Sequence, residues 1–196
     1  GLEEFAATGG DLATVHSVAS FFVSRVDTEV DHRLDALATD ETRDLRGVAA
    51  IAQAVLAFQL FRERFAGERW ERLASRGARL QRPLWASTST KNPAYADPRY
   101  VDGLIGPDTV NTLPEVTITA YEDHGRVART IDEHVDGARN VMRDLAAVGV
   151  GMDDVGLALE DEGIASFHES FRHVLDALAV KADQIAIRST RWTGPA

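Results

Sequence analysis

Residues 15–23 have the sequence VHSVASFFV, a short run of β-branched, small and aromatic residues without Asp, Glu, Lys or Arg. Such a run is typical of a strand buried on both faces, the kind found in parallel sheets. Two later segments are similar: 84–88, which follows Pro83, and 108–113. The sequence therefore predicts three strands.

Helical patterns lie between and after these strands. Acidic residues at 27–31 open a helix that extends to about Leu37. Further helices are predicted at about 39–65, 100–105, 115–123, 131–148 and 164–187. Strands separated by helices favour a parallel α/β layer with right-handed crossovers. Because three strands cannot close a sheet, we expect something else to cover its edges.

Composition excludes several functions. The chain has 196 residues, and its 21 Lys and Arg against 31 Asp and Glu give a net charge of −10. It lacks the basic surface of a protein that binds nucleic acid or an anionic membrane, and it has no apolar run of about 18 residues. The absence of cysteine excludes disulfides and thiolate chemistry and fits a cytoplasmic location.

Two cations follow predicted strands. Lys91, one of only two lysines, comes after a run of hydroxyl residues at 87–90. Ligand sites of parallel α/β folds lie at the carboxyl ends of strands, where a lysine can bind phosphate or form a Schiff base; a solvated loop lysine is an equally good interpretation. Arg25 is either a ligand clamp or, as favoured here, the ion-pair partner of a neighbour such as Asp27.

Other motifs give weaker signals. The six histidines are scattered, and His168 and His173 are five residues apart where the zinc helix motif needs four, so no metal site is predicted. Gly149 and Gly151 follow a helix, which favours a helix end and a turn over a dinucleotide loop. Trp85 is predicted to lie in the core.

Three motifs together resemble bacterial transaldolase of the longer, actinobacterial type: HSVASFFVSRVD at 16–27, RPLWASTSTKNP at 82–93 and TVNTLP at 109–114. The resemblance covers nearly the whole chain. It implies a (β/α)₈ TIM barrel, of which residues 1–196 would be a single partial domain with the sixth, seventh and eighth strands. A complete barrel needs about 250 residues, so the resemblance implies a longer parent for a chain that begins at Gly1 within a helical pattern.

The resemblance also implies an activity. Transaldolases move a dihydroxyacetone unit from sedoheptulose 7-phosphate or fructose 6-phosphate to an aldose phosphate, in the pentose phosphate pathway. They use a lysine Schiff base and no cofactor. In the family that lysine lies on the fourth strand, outside this chain. The implied partners are therefore a sugar phosphate and the amino-terminal remainder of the barrel, and we expect this chain by itself to be inactive.

Five residues match the family's site. Ser20 matches a serine that lines the pocket, and Phe22 matches an aromatic wall beside it. Arg25 matches the arginine that binds the substrate phosphate. Ser87 and Lys91 fall where a serine and a second cation complete the phosphate site, which makes Lys91 a phosphate ligand rather than the Schiff-base residue.

Two alternatives stay open at this point. The chain could be a non-catalytic, mostly helical module that binds a phosphorylated metabolite or a protein partner. In the other alternative, Lys91 itself forms the Schiff base.

Overall fold

The computed structural model describes the backbone of residues 1–190 and the side chains of residues 1–185. Three strands, β1 (Ser17–Phe22), β2 (Gln81–Ala86) and β3 (Val110–Asn111), form one parallel sheet in the order β1-β2-β3. The predicted set of three parallel strands is confirmed.

The helices occupy most of the described chain. Their bounds are α1 Leu2–Ala7, α2 Ser24–Leu37, α3 Asp40–Arg43, α4 Ala49–Arg64, α5 Glu68–Ala74, α6 Arg99–Asp102, α7 Glu115–His124, α8 Val135–Ala147 and α9 Met152–Thr190, with a 3₁₀ helix at Leu12–Thr14. Helix α9 begins well before the predicted residue 164. The turn predicted at Gly149 is confirmed, since this residue follows α8 with a φ of 88°.

The continuous helix predicted over residues 39–65 is wrong. Its pattern is divided between α3 and α4, and Gly47 lies in the connection with a φ of 68°. The Gly47 N–H donates to Asp31 Oδ1 of α2 at 2.8 Å instead of continuing a helix. Glycine tolerates this left-handed backbone, so the chain turns here.

The core lies on one side of the sheet. Trp85 of β2 is completely buried, and its ring centroid is 5.9 Å from that of Phe21 in β1. Helix α2 contributes a buried stripe spaced by four residues, formed by Val26, Val30 and Leu34. Burying side chains of this size contributes roughly 1.5–3 kcal/mol each.

The opposite side of β1 is open, so the expectation that both faces are buried is wrong for this strand. Val18 and Phe22 are 42% and 38% exposed, and Ser20 between them is exposed as well. Within residues 1–155 no layer covers this face. Each of β1 and β3 pairs with β2 and, in the part of the chain described, with no other strand.

Two compact units divide the chain after Val155. The first holds the sheet and helices α1–α8. In the second, the side chains of α9 up to residue 185 are mostly exposed. The exposed apolar ones are Leu157, Ile164, Phe167, Phe171, Val174, Leu175, Leu178, Val180 and Ile185. None of the described helices combines the length and the apolar character that a membrane crossing requires.

Candidate functional site

The carboxyl ends of β1 and β2 are joined by backbone hydrogen bonds. The Val23 N–H donates to the Ala86 carbonyl at 2.9 Å, and the Ser24 N–H donates to the Ser87 carbonyl at 2.8 Å. The Ser24 hydroxyl also donates to Ser87 Oγ at 3.4 Å. Since Ser24 is the first residue of α2, these bonds fix the start of that helix beside the end of β2.

Arg25 lies in the first turn of α2 with an exposed side chain. Its guanidinium carbon is 4.6 Å from the centroid of the Phe22 ring, within range of a cation–π interaction. The favoured ion pair with Asp27 is wrong: the two Asp27 oxygens accept hydrogen bonds from the Ala50 N–H and the Tyr100 hydroxyl. Among the described residues, Arg25 forms no ion pair.

Ser20 and Phe22 lie on the open face of β1, because side chains alternate along a strand. Ser20 is in register with Leu84 and Phe22 with Ala86. Ser20 and Phe22 therefore share this face, and Arg25 follows them in the first turn of α2.

Ser87 comes directly after β2 and has a φ of 60°, a left-handed conformation that is rare for residues other than glycine. The next residue, Thr88, is buried and donates from its hydroxyl to the Thr112 carbonyl at 2.7 Å. The chain after β2 is thus fixed to α2 at Ser87 and to the end of β3 at Thr88.

Lys91 lines a cleft that does not include Ser20, Phe22, Arg25 or Ser87. This cleft of 260 Å³ is also lined by residues of α2 and of the segment that follows β2, and the Lys91 side chain is exposed. The other lining residues are Asp27, Thr28, Asp31, His32, Asp35, Asn92, Tyr95 and Tyr100. The structure thus brings Phe22 and Arg25 into contact and joins Ser87 to the start of α2, whereas Lys91 faces a neighbouring acidic cleft.

Sequence reasoning missed the buried acids of this region. Asp27 and Asp31 are 1% and 6% exposed, and both are hydrogen bonded to tyrosines. Burial raises the pKa of Asp27, while its hydrogen bonds from Ala50 and Tyr100 oppose the shift. Burial and the Asp31 carboxylate raise the pKa of Tyr95 to about 12. A signal was present: the two acids are four residues apart in a helix, next to the apolar Val26 and Val30.

A larger cleft of 510 Å³ lies at the amino ends of β1 and β2. It is lined by Ser17 and Gln81, the first residues of β1 and β2, and by Phe65 and Trp70. Because ligand sites of parallel α/β folds lie at the carboxyl ends of the strands, this cleft is not the candidate site. In residues 1–185, no three His, Asp or Glu side chains are grouped so that they could hold a metal ion.

The parallel sheet is that of an α/β protein, and at its carboxyl end α2 begins directly after β1 with the exposed Arg25 in its first turn. The family model for transaldolase and fructose-6-phosphate aldolase matches residues 3–178. The chain belongs to this family. Membership implies a TIM barrel, and the observed helices and three-stranded parallel sheet are consistent with part of one.

Curated relatives give the same assignment. The chain is 51% identical over 177 residues to a transaldolase of Renibacterium salmoninarum, and the matched region is 90% of this chain and 47% of the relative. It is 51% identical over 180 residues to one of Thermobifida fusca, which covers 91% and 49%. It is 47% identical over 184 residues to one of Mycolicibacterium smegmatis, which covers 93% and 50%. The chain thus spans about half the length of these relatives.

Proposed function

We propose that this chain forms the phosphate-binding side of a transaldolase, an enzyme that transfers a dihydroxyacetone unit between sugar phosphates. The proposal depends mainly on Arg25, which lies in the first turn of α2, stacks on Phe22 and makes no ion pair among the described residues. A guanidinium can form two parallel hydrogen bonds with a phosphate. The positive end of a helix adds to this attraction.

The substrate phosphate would be held by Arg25, Ser87 and Lys91. Ser87 supplies a hydroxyl beside the start of α2. Lys91, four residues further along, has a long flexible side chain that is exposed at the mouth of the neighbouring cleft. In a chain of net charge −10, a dianion bound by Arg25 and Lys91 together would meet a local positive charge in an otherwise repelling field.

The open face of β1 would line the sugar pocket. Ser20 supports catalysis there by hydrogen bonding to the substrate's hydroxyl groups, and Phe22 forms an apolar wall that excludes water. In this proposal β1, β2 and β3 are the sixth, seventh and eighth strands of the barrel, and the described units belong to one partial domain.

The covalent step occurs on a lysine outside this chain. Its amine condenses with the C2 carbonyl of the ketose phosphate, forms an imine and releases water. A base then takes the proton of the C4 hydroxyl, the C3–C4 bond breaks, and the aldose phosphate leaves. The retained three-carbon enamine attacks the aldehyde of the acceptor, whose oxygen takes up a proton, and water hydrolyses the resulting imine to release the product and restore the lysine. This cycle needs no cofactor, and we assign it to the pentose phosphate pathway in the cytoplasm. The chain by itself should therefore not turn over.

Borohydride trapping tests this assignment. The chain is incubated with fructose 6-phosphate and borohydride, both by itself and mixed with the amino-terminal half of the Thermobifida fusca relative, and adducts are located by peptide mass spectrometry. We expect an adduct on the added half, only in the mixture, and less of it with Arg25→Ala. The matched control is Arg139→Ala, which removes the same charge from an exposed pair with Asp136 on α8.

Other outcomes would change the assignment. An adduct on Lys91 in the chain by itself would make Lys91 the Schiff-base residue. Binding of fructose 6-phosphate that is equal for the wild type and Arg25→Ala, with no adduct in any mixture, would favour a non-catalytic module.

A further inference from the structure

Asp27 and Asp31 lie one turn apart on α2 and have the same two kinds of hydrogen-bond partner. Asp27 Oδ1 accepts from the Ala50 N–H at 2.8 Å, and its Oδ2 accepts from the Tyr100 hydroxyl at 2.7 Å. Asp31 Oδ1 accepts from the Gly47 N–H at 2.8 Å, and its Oδ2 accepts from the Tyr95 hydroxyl at 2.5 Å. We call this pair of acids and its four donors the carboxylate ladder.

The ladder joins three segments that are distant in sequence. Its hydrogen bonds tie α2 to residues 47–50 at the start of α4, and to residues 95–100, which lead into the first turn of α6. Arg99 joins the other two segments to each other: it donates to the Gly47 carbonyl, and its guanidinium carbon lies 4.4 Å from the centroid of the Tyr95 ring and 5.3 Å from that of Tyr100.

The segment that carries Lys91 is therefore fixed to α2 at both ends. At its start, the Ser87 carbonyl accepts from the Ser24 N–H; at its end, Tyr95 donates to Asp31. Residues 24 and 31 are separated by about 10 Å along a helix. Lys91 lies midway in a segment that runs alongside the first two turns of α2.

The positions of Arg25 and Lys91 thus both depend on α2: Arg25 is part of this helix, and Lys91 lies in a segment that is hydrogen bonded to it. Side chains two residues apart on a helix are rotated by about 200° and so point in nearly opposite directions. Asp27 therefore holds α2 from the side remote from Arg25. Burial of a carboxylate costs free energy of folding, and an apolar side chain of similar volume would often stabilise a fold equally well. What the carboxylates add is direction, because each oxygen holds one donor at a defined angle.

We propose that Asp27 and Asp31 are positioning residues, which set the separation between Arg25 and Lys91 through the hydroxyl groups of Tyr95 and Tyr100. This inference rests on the proposed phosphate site. It assigns the ladder a role in ligand affinity that a purely structural hydrogen-bond network would not have.

The test removes only the two hydroxyl groups. The double variant Tyr95→Phe/Tyr100→Phe keeps both rings beneath Arg99, and Tyr121→Phe is the matched control, since Tyr121 is the third tyrosine and lies on α7 outside the ladder. Calorimetry measures the affinity for inorganic phosphate and for fructose 6-phosphate at a temperature where urea titration shows every variant to be folded. We expect the double variant to bind about tenfold more weakly, and Tyr121→Phe to bind within about twofold of the wild type.

A second readout reports on Lys91 directly. The chain has two lysines, so lysine-selective ¹⁵N labelling gives one signal for Lys91 and one for Lys181, which lies in the second unit and serves as an internal reference. Phosphate should shift the Lys91 signal in the wild type and leave it unchanged in the double variant.

The outcomes separate the two hypotheses. If Arg25→Ala abolishes phosphate binding but the folded double variant binds like the wild type, the positioning role is wrong and the proposed phosphate site stands. If the wild type binds no more phosphate than Arg25→Ala, the proposed site fails and the positioning role fails with it.

Discussion

The Arg25 guanidinium carbon lies 4.6 Å from the centroid of the Phe22 ring, so the last residue of β1 supports a cation in the first turn of α2. An aromatic face attracts a cation without occupying its N–H groups. The arginine therefore keeps its place and also keeps its donors for an anion. An ion pair with a carboxylate would have held the side chain as well, but it would have occupied those donors.

This contact makes lysine a poor substitute. Arg25→Lys keeps the charge but loses the planar fork and the stacked geometry. We expect the affinity for fructose 6-phosphate to fall roughly tenfold, with the free energy of unfolding unchanged, measured by calorimetry and urea titration. Arg139→Ala serves again as the control. Equal binding by Arg25→Lys would show that charge is sufficient and that two-point recognition is wrong.

Variants of Ser87 test its backbone strain and its role in ligand binding separately. Its φ of 60° costs an L-residue of this kind about 1 kcal/mol, which glycine avoids. Ser87→Gly should therefore unfold within about 1 kcal/mol of the wild type, because relief of strain is offset by the greater freedom of the unfolded chain. The same variant should bind phosphate more weakly, since it lacks the hydroxyl.

The companion variant Ser87→Ala keeps the strain and also lacks the hydroxyl. We expect it to lose affinity to the same degree and to unfold within about 1 kcal/mol of Ser87→Gly in urea, because the strain that alanine keeps is matched by the freedom that glycine adds to the unfolded chain. If Ser87→Gly binds phosphate as well as the wild type does, the hydroxyl is not a ligand.

The local patterns predicted the sheet and most helices because hydrophobic spacing and helix-start residues act over a few positions. Residues 15–23 contain β1, and the acidic run at 27–31 lies within α2. The break near Gly47 was missed, since the apolar spacing continues across it and the competing bond to Asp31 comes from another helix. The open face of β1 was missed for a related reason: an apolar run does not show whether a second layer covers it.

In the candidate site, too, features set by neighbouring residues could be predicted, and contacts between distant segments could not. Arg25 could be singled out because it closely follows the predicted strand at 15–23. Ser87 fell within the predicted strand at 84–88 and was singled out only through the resemblance to transaldolases. The partners of Asp27 could not be predicted, since Tyr100 is 73 residues away in sequence and the pairing depends on how α2 packs against the segment after β2. For the same reason an ion pair of Asp27 with the nearby Arg25 was a reasonable prediction and a wrong one.

Trp85 offers a test of core packing. Its side chain is completely buried, and its indole N–H donates to no polar atom among the described residues. Trp85→Ala should lower the free energy of unfolding by about 3–5 kcal/mol through lost burial and a cavity. Trp85→Phe should cost less than about 2 kcal/mol, because the loss of ring volume is partly offset by removal of a buried donor. Urea titration of both variants measures the difference, and similar losses for both would show that the indole N–H has a favourable partner.

His124 predicts how stability depends on pH. Its Nε2 lies 2.7 Å from Asp97 Oδ1 and its Nδ1 lies 3.0 Å from Asp123 Oδ2, and these hydrogen bonds, that to Asp97 first, raise the pKa of the imidazole. A pKa that is higher in the folded chain means that folding favours the protonated ring. This stabilisation is therefore fully present below the unfolded pKa of about 6.5, and it is lost as the pH rises through the folded pKa. His124→Gln should remove that part of the pH dependence, so that the wild type exceeds the variant in stability at pH 5.5 to 6 (roughly the onset of imidazole titration) and loses its advantage in alkaline solution. Asp97→Asn should lower the pKa of His124 in an NMR titration, and an unchanged pKa would show that the Asp97 contact does not hold the ring in solution.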